Sequence, residues 1–202
     1  YFEPLDKQNF DIQMSGKLEG IGARLMMEDD YTKVSSIVVG GPAWKQGDLS
    51  EDDKIYQVAQ KGEDAVNVKG MDLDDVVQLI RGKKGTEVTL SVKSVDGSTK
   101  TITIVRDVVE LEEGFAKSLI MDTQAGSKVG YISLPRFYDD FGDPNGRSCA
   151  EDVEKEIEKL KANQVEGIIL DLRNNGGGSL RDVVRMSGFF FEKGPVVQVK
   201  DR

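Results

Sequence analysis

The sequence predicts a mixed α/β protein made of two successive modules, and three observations carry this prediction. Residues 15–107 alternate short β-branched segments with one amphipathic helix and close on a hairpin, which is typical of an α+β module. Residues 108–202 contain strand, helix, strand, helix and strand patterns in that order, which favours an α/β layer with parallel crossings. A length of 202 residues suits one large or two small domains. Residues 1–14 hold few periodic apolar positions, so we expect a lead-in segment that docks elsewhere.

Charge and composition exclude several classes of protein. The net charge is -9, which argues against nucleic acid as the main partner, because phosphate binding needs a positive surface. The same acidity also fits simple solubility. No apolar run approaches the roughly 18 to 20 residues of a membrane span. The chain opens on Tyr1 rather than on Met, so we expect an internal piece of a longer precursor whose targeting is not readable here.

The sequence contains no histidine and a single cysteine, Cys149. This composition excludes an internal disulfide, a Ser-His-Asp triad and histidine-based zinc sites, so we predict neither a metal nor a cofactor. Cys149 has no histidine to activate it, and a core or incidental surface position is favoured over a catalytic thiol. Any catalysis must use lysine, carboxylates, the backbone or residues outside the chain.

A glycine-rich loop opens the first module. Glycines at alternate positions in Gly20-Ile21-Gly22 let successive N–H groups point the same way, a nest that suits a carboxylate. As a phosphate loop the segment fails, because the third glycine of Gly-x-Gly-x-x-Gly would fall at Leu25 and no Lys-Ser or Lys-Thr pair follows.

One helix and several strands complete this module. The helix runs from Asp72 to Arg81, with Asp72 as a candidate cap and Gly82 as its end. Its apolar stripe at i, i+3, i+4 and i+7 consists of Leu73, Val76, Val77 and Ile80. The predicted strands are 34–39, 53–58, 87–95 and 99–105, the last two joined by a turn at Asp96-Gly97.

These motifs together resemble a PDZ domain in its bacterial, permuted strand order. The resemblance rests on Gly20-Ile21-Gly22-Ala23, Gly41-Pro42-Ala43, Gly47-x-Leu49, Asp53-Lys54-Ile55, the helix and the final hairpin, over roughly ninety residues. Asp52 departs from the pattern, which usually has glycine there; aspartate tolerates a left-handed turn, so we expect the fold to survive.

The resemblance implies a peptide groove between the 21–25 strand and the helix, in which a ligand strand adds to the sheet edge. The implied carboxylate loop consists of Leu18, Gly20, Ile21 and Gly22. The implied pocket for the last ligand side chain consists of Leu25, Val76, Val77 and Ile80, with Leu73 on the same stripe. Leu73 and Val77 suit core and groove equally well, because the helix must also cover the sheet. Apolar walls favour small or hydrophobic C-terminal side chains.

The second module centres on the segment 166–180. Ser148 and Glu151 form a capping box for a helix to Lys161, strand 167–172 follows, and Ser179 with Asp182 opens a helix predicted to reach Phe191. A last strand is predicted at 195–199. The strand, glycine turn and helix N-terminus place backbone N–H groups around a point where negative charge can sit.

The glycine turn 174–178 has three interpretations: a structural turn, a weakly supported nucleotide site, or an oxyanion hole. Its context resembles the C-terminal processing (tail-specific) peptidase family, in which a PDZ domain precedes a serine-lysine core of the crotonase/ClpP-like βαβ type. The resemblance rests on Val129-Gly130-Tyr131-Ile132, Leu134-Pro135-x-Phe137 and Ile169 to Gly178. It implies an oxyanion donor at the N–H of Gly177, and Asp171 and Arg173 as structural residues of the turn.

That family uses a serine nucleophile and a lysine base on later segments. Nothing after Gly178 resembles its Ser-Ala-Ser-Ala or Gly-Lys-Gly motif, and Ser179 sits at a helix cap without a positioned base. We therefore expect the fragment to be inactive alone.

The resemblance implies a secreted, periplasmic endopeptidase that recognises C-terminal tails of unfolded or tagged proteins. Whether an adaptor or lipoprotein partner takes part is left open. A non-catalytic PDZ adaptor and a nucleotide-binding α/β domain are the alternatives.

Overall fold

The computed structural model describes residues 4–124, 126–143, 145–198 and 200, and it divides into two compact units. Residues 17–110 form one unit, called here the inserted unit. The described residues of 1–16 and 111–202 form the other, called the flanking unit. Among the described residues, no helix is long and apolar enough to cross a membrane.

The inserted unit contains an antiparallel sheet with strand order β2-β3-β4-β6-β7, and a short strand β5 pairs with β4. The strands are β2 Ala23–Glu28, β3 Tyr31–Ile37, β4 Lys54–Gln60, β5 Val66–Asn67, β6 Glu87–Lys93 and β7 Thr99–Val105. Two helices, α2 Pro42–Gln46 and α3 Leu73–Ile80, belong to the same unit. The predicted hairpin at Asp96-Gly97 is confirmed as β6–β7, and Asp52 adopts the expected left-handed conformation at φ 66°. Because β2 ends the sheet, its outer edge is available to an added strand.

A second, two-stranded ribbon closes the inserted unit. Strand β1, Lys17–Gly20, pairs antiparallel with strand β8, Asp107–Glu110, so Gly20 lies opposite Asp107. Sequence patterning missed β8, because four residues are too few to show a period. This ribbon brings the two ends of the inserted unit together.

Helix α3 is held to the sheet by two of its four stripe residues. Val76 is fully buried and Ile80 is 3% exposed, and both belong to the core cluster of this unit. Asp72 is the N-cap residue, as predicted, with extended backbone, but its side chain makes no cap hydrogen bond. Arg81, not Gly82, is the residue that ends the helix.

The flanking unit has a three-stranded sheet in the order β11-β10-β9. Its elements are α1 Pro4–Ser15, β9 Lys117–Asp122, β10 Lys128–Ser133, α4 Cys149–Ala162, β11 Gly167–Asp171 and α5 Leu180–Ser187. Strands β10 and β11 are parallel and α4 connects them, which confirms the predicted βαβ crossing. Strands β9 and β10 form an antiparallel pair. The core of this unit comprises Phe115, Ala116, Ile132, Leu134, Tyr138, Cys149, Ala150, Val153, Ile157, Leu160 and Met186.

Two helices begin at the residues that the sequence predicts, whereas the elements predicted near the end of the chain differ from the structure. The Ser148 Oγ accepts a hydrogen bond from the Glu151 N–H, and the Ser179 Oγ accepts one from the Asp182 N–H, as helix caps do. Helix α5 ends at Ser187 instead of Phe191, because Gly188 caps it. The predicted strand 195–199 is wrong for residues 195–198, which pair with no strand in the described part of the chain; Val199 lies outside the described residues, as do residues 1–3 of the lead-in segment.

Candidate functional site

The predicted carboxylate loop, 18–22, begins within strand β1, and the carbonyl groups of its last two residues anchor it to the body of the inserted unit. The Ile21 carbonyl accepts a hydrogen bond from the Ala43 N–H and the Gly22 carbonyl accepts one from the Val38 N–H, both at 2.8 Å. Gly22 has φ +75°, and a Cβ there would lie 3.2 Å from the Gly41 Cα. A side chain at Gly22 would therefore be strained by the backbone conformation and tightly packed against Gly41.

Helix α3 packs beside strand β2, and these are the two elements between which the peptide groove is predicted. Leu25 on β2 is half-buried and contacts the core. Leu73 and Val77 on α3 are half-buried and stand outside the core cluster, and their place in the groove stays a prediction. The pocket role predicted for Val76 is corrected to core packing, because this residue has no exposed surface. Ile80 is almost as completely enclosed.

A cation that the sequence interpretation missed lies where the helix meets the loop. Arg81 directly follows α3, and its Cγ is 3.9 Å from the place where a Cβ on Gly20 would be. Burial lowers the pKa of the Arg81 guanidinium, and the Asp74 carboxylate acts in the opposite direction. The signal in the sequence was a basic residue immediately after an amphipathic helix.

At the second candidate site, an ion pair closes the end of strand β11. The Asp171 carboxylate accepts hydrogen bonds from the Arg173 Nε at 2.9 Å and Nη2 at 2.7 Å, and also from the Tyr131 hydroxyl. The Arg173 guanidinium, then the Tyr131 hydroxyl, hold the pKa of this carboxyl well below its usual range. These contacts fit the structural role predicted for Asp171 and Arg173.

This ion pair predicts an acid sensitivity of the flanking unit. Because the folded pKa of Asp171 is lowered, its carboxylate stabilises the fold above the unfolded pKa of about 3.9, and this stabilisation is lost as the pH falls below that value. We expect Asp171→Asn to remove part of the loss of stability between about pH 4 and pH 2. Urea unfolding followed by circular dichroism over this pH range measures it. Asp122→Asn, on strand β9 of the same sheet, is the control, and an unchanged pH profile in Asp171→Asn would contradict the assignment.

The glycine turn is pinned to the segment that follows β10. The Phe137 N–H donates to the Gly177 carbonyl at 3.0 Å, and the Ser179 N–H donates to the Phe137 carbonyl at 2.8 Å. Gly178 has φ +139°, and a Cβ there would lie 2.1 Å from the Phe137 oxygen. Glycine at position 178 is thus required by the close approach of two backbone segments.

Asn175 controls the N–H group that the sequence assigned to the oxyanion hole. Its Oδ1 accepts a hydrogen bond from the Gly177 N–H at 2.8 Å, while its Nδ2 donates to the Leu134 carbonyl at 2.9 Å. The N–H of Gly177 is therefore occupied in this structure. An incoming oxyanion would have to replace the Asn175 oxygen.

Neither Ser179 nor Cys149 is placed as a nucleophile. The Ser179 hydroxyl is buried and donates to the Asp182 carboxylate at 2.5 Å. Burial and then the Asp182 charge raise the pKa of Asp139 beside it. Cys149 is completely buried, and this burial, with the Asp182 and Asp139 carboxylates, raises the pKa of its thiol to about 12. Within the described residues, no cluster of His, Cys, Asp and Glu suits a metal ion.

Comparison with known proteins finds a separate match for the first and for the second part of the chain. Residues 9–93 match the sequence model of the PDZ domain, and residues 128–202 match that of Peptidase family S41. The tail-specific protease of Haemophilus influenzae is 40% identical over 100% of this chain and 28% of its own length. The carboxy-terminal processing protease CtpA of Bacillus subtilis is 30% identical over 99% of this chain and 39% of its own length. A solved PDZ domain of the carboxy-terminal protease from Vibrio cholerae, in complex with peptide, is 52% identical, covers 47% of this chain and 99% of its own, and has a TM-score of 0.45.

The second part of the chain thus matches peptidase family S41 and the first part matches the PDZ domain, and both curated relatives match across the two parts. The family resemblance drawn from the glycine motifs is confirmed. The chain spans 28% and 39% of the length of the two curated relatives named above.

Proposed function

We propose that the inserted unit binds the free C-terminus of a protein chain as an added strand along β2. The observation that carries this proposal is the position of β2 at the end of the sheet, beside a helix whose Leu73 and Val77 are half-buried but outside the core. A strand laid along β2 gains main-chain hydrogen bonds, and alternate side chains of the ligand reach the apolar wall. The ligand ends at the loop 18–22, where the N–H groups receive its carboxylate.

The groove favours a particular kind of chain end. Leu25, Leu73 and Val77 are apolar, so a small or hydrophobic last side chain fits best. Arg81 adds a positive charge next to Gly20, which favours a carboxylate over a neutral amide. The ligands we propose are the C-terminal tails of unfolded or tagged proteins, which present such ends without competing structure.

For the whole protein we propose serine endopeptidase activity of the C-terminal processing type. Acyl transfer develops negative charge on the scissile carbonyl oxygen, and a backbone N–H placed within hydrogen-bond reach stabilises that charge. The Gly177 N–H, at a turn between a strand and a helix N-terminus, supplies such a donor once the Asn175 oxygen moves aside. The nucleophilic serine and basic lysine match no motif in these 202 residues, so we expect this chain alone not to cleave protein.

Two further points belong to the same proposal. A location in the bacterial periplasm follows from the family resemblance, and fractionation of cells expressing the whole protein tests it.

A non-catalytic PDZ adaptor is the alternative, since the Gly177 N–H is occupied and the catalytic motifs are not among these residues. Labelling of the whole protein by a serine-directed fluorophosphonate distinguishes them, because only the enzyme reacts.

A peptide titration tests the binding function with this chain as it stands. Two labelled peptides of identical sequence end in a hydrophobic residue, one with a free carboxylate and one with an amide. We expect the amide to bind at least about tenfold more weakly, because charge-assisted hydrogen bonds are lost. Fluorescence anisotropy measures the affinity. Emission from Trp44, the single tryptophan, gives a second signal, because the N–H of the preceding residue, Ala43, donates to the Ile21 carbonyl of the loop. Equal affinities for the two peptides would disprove the carboxylate-loop assignment.

A further inference from the structure

A buried arginine lies between strands β7 and β8. Arg106 is 3% exposed, and its guanidinium donates five hydrogen bonds to neutral oxygen atoms. The acceptors are the carbonyls of Ile80 (2.8 Å), Leu79 (3.1 Å) and Glu87 (3.1 Å), the Thr86 Oγ1 (2.9 Å) and the Gln60 Oε1 (2.7 Å). Burying a charge is costly unless its donors are satisfied, so a cation held in this way is a strong constraint on its surroundings.

Two of these acceptors, the carbonyls of Leu79 and Ile80, belong to the last turn of helix α3. The final carbonyls of a helix have no partner within it, and the negative end of the helix dipole lies there. The Arg106 guanidinium satisfies the Leu79 and Ile80 carbonyls, and the Gln60 Nε2 adds a second hydrogen bond to Leu79 at 2.8 Å. Because α3 has only eight residues, its end depends on such outside contacts.

Gly82 makes room for this contact. A Cβ at Gly82 would lie 2.9 Å from both the Cζ and the Nε of Arg106. The guanidinium is held by five hydrogen bonds and has little freedom to move away. Position 82 therefore requires glycine because a side chain there would collide with the Arg106 guanidinium. The sequence pattern had instead predicted that Gly82 ends the helix.

The backbone of the same segment also reaches the carboxylate loop. The Arg106 N–H donates to the Thr86 carbonyl at 2.8 Å, and the next residue, Asp107, pairs with Gly20 in the β1–β8 ribbon. Gly20 belongs to the carboxylate loop. One short segment thus holds the helix by a side chain and the loop by strand pairing.

We propose that Arg106 is a positioning residue of the peptide groove, which fixes the spacing between the end of α3 and the carboxylate loop. This inference rests on the peptide-binding function proposed above. Arg106 itself does not contact the ligand; it acts through the carbonyls of Leu79 and Ile80. Lysine cannot replace it fully, because an ammonium group offers three donors and lacks the planar fork.

The test compares four variants in the 202-residue chain, using the free-carboxylate and amidated peptides. Arg106→Met removes the five donors, Arg106→Lys retains the charge, and Gly82→Ala obstructs the guanidinium without touching Arg106. Lys83→Met removes a neighbouring exposed cation and is the control. Affinities are measured far below the melting temperature, where each variant is folded by circular dichroism. Hydrogen exchange of the amides at the end of α3 is followed in parallel.

We expect Arg106→Met and Gly82→Ala to weaken the free-carboxylate peptide about tenfold or more and to speed exchange at the end of α3. Arg106→Lys should recover part of the affinity, and Lys83→Met should bind as the unchanged chain does. Folded Arg106→Met and Gly82→Ala proteins with unchanged affinity would overturn the positioning role and leave the peptide-binding function intact. An unchanged chain that binds neither peptide would instead overturn the binding function. If Arg106→Met does not fold, Gly82→Ala and Arg106→Lys decide the question.

Discussion

Gly178→Ala is expected to destabilise the flanking unit by at least about 3 kcal/mol. The new Cβ would lie 2.1 Å from the Phe137 carbonyl oxygen, a backbone atom that cannot rotate away, and φ is +139° at this position. The two hydrogen bonds that join Phe137 to Gly177 and Ser179 would have to lengthen or break. Reactivity of the single cysteine, Cys149, measures the effect, because this thiol is fully buried in the same unit.

Gly176→Ala is the matched control. Position 176 lies two residues away in the same turn, and a Cβ there meets nothing within 4 Å. We expect this variant to stay within about 0.5 kcal/mol of the unchanged chain. If the two variants protect Cys149 equally well, the close approach of the turn to Phe137 is not a feature of the folded protein. Emission from Trp44 should stay the same in both, since it reports on the inserted unit.

Val77→Asp is expected to weaken peptide binding by about 2 kcal/mol or more, which is about thirtyfold in affinity. The substitution removes an apolar wall of the groove and places a second negative charge near the ligand carboxylate. Because Val77 stands outside the core cluster, we expect the inserted unit to remain folded. The titration described for the two peptides, repeated with this variant, measures the change.

Gln78→Asp introduces the same charge one residue further along the helix, at an exposed position. It should bind the peptide nearly as the unchanged chain does. An equal loss of affinity in both variants would mean that the helix acts only through its charge. Full affinity in Val77→Asp would mean that the ligand does not lie against α3.

Much of the fold could be predicted because local patterns and tertiary structure agree. The stripe on α3, the turn at Asp96-Gly97 and the serine caps at Ser148 and Ser179 each carry a local signal that the structure confirms. The apolar pattern of α3 does not, however, show which of its residues face the core and which face the groove. That division depends on which side of the helix the sheet occupies, and so Val76 was assigned to the pocket although it is fully buried.

The missed features depend on partners far away in the sequence. Strand β8 is recognised only through β1, which lies about ninety residues earlier. Arg106 follows an alternating strand and resembles a surface cation, yet its acceptors come from three other segments, at residues 60, 79–80 and 86–87. The engagement of the Gly177 N–H by Asn175 is local, but sequence alone does not distinguish an occupied donor from a free one. The predicted strand at 195–198 had β-branched residues but finds no partner strand in the described part of the chain.

Hydrogen exchange along β2 tests the central claim most directly. The proposed ligand adds as a strand to the outer edge of Ala23–Glu28, which ends the sheet. On saturation with the free-carboxylate peptide, we expect alternate amides of this strand to exchange at least about tenfold more slowly, since only every second N–H faces an added strand. Amides of β7, at the opposite end of the sheet, should be unchanged. Protection at β7 in place of β2, or saturation by peptide with no change in β2, would contradict the account.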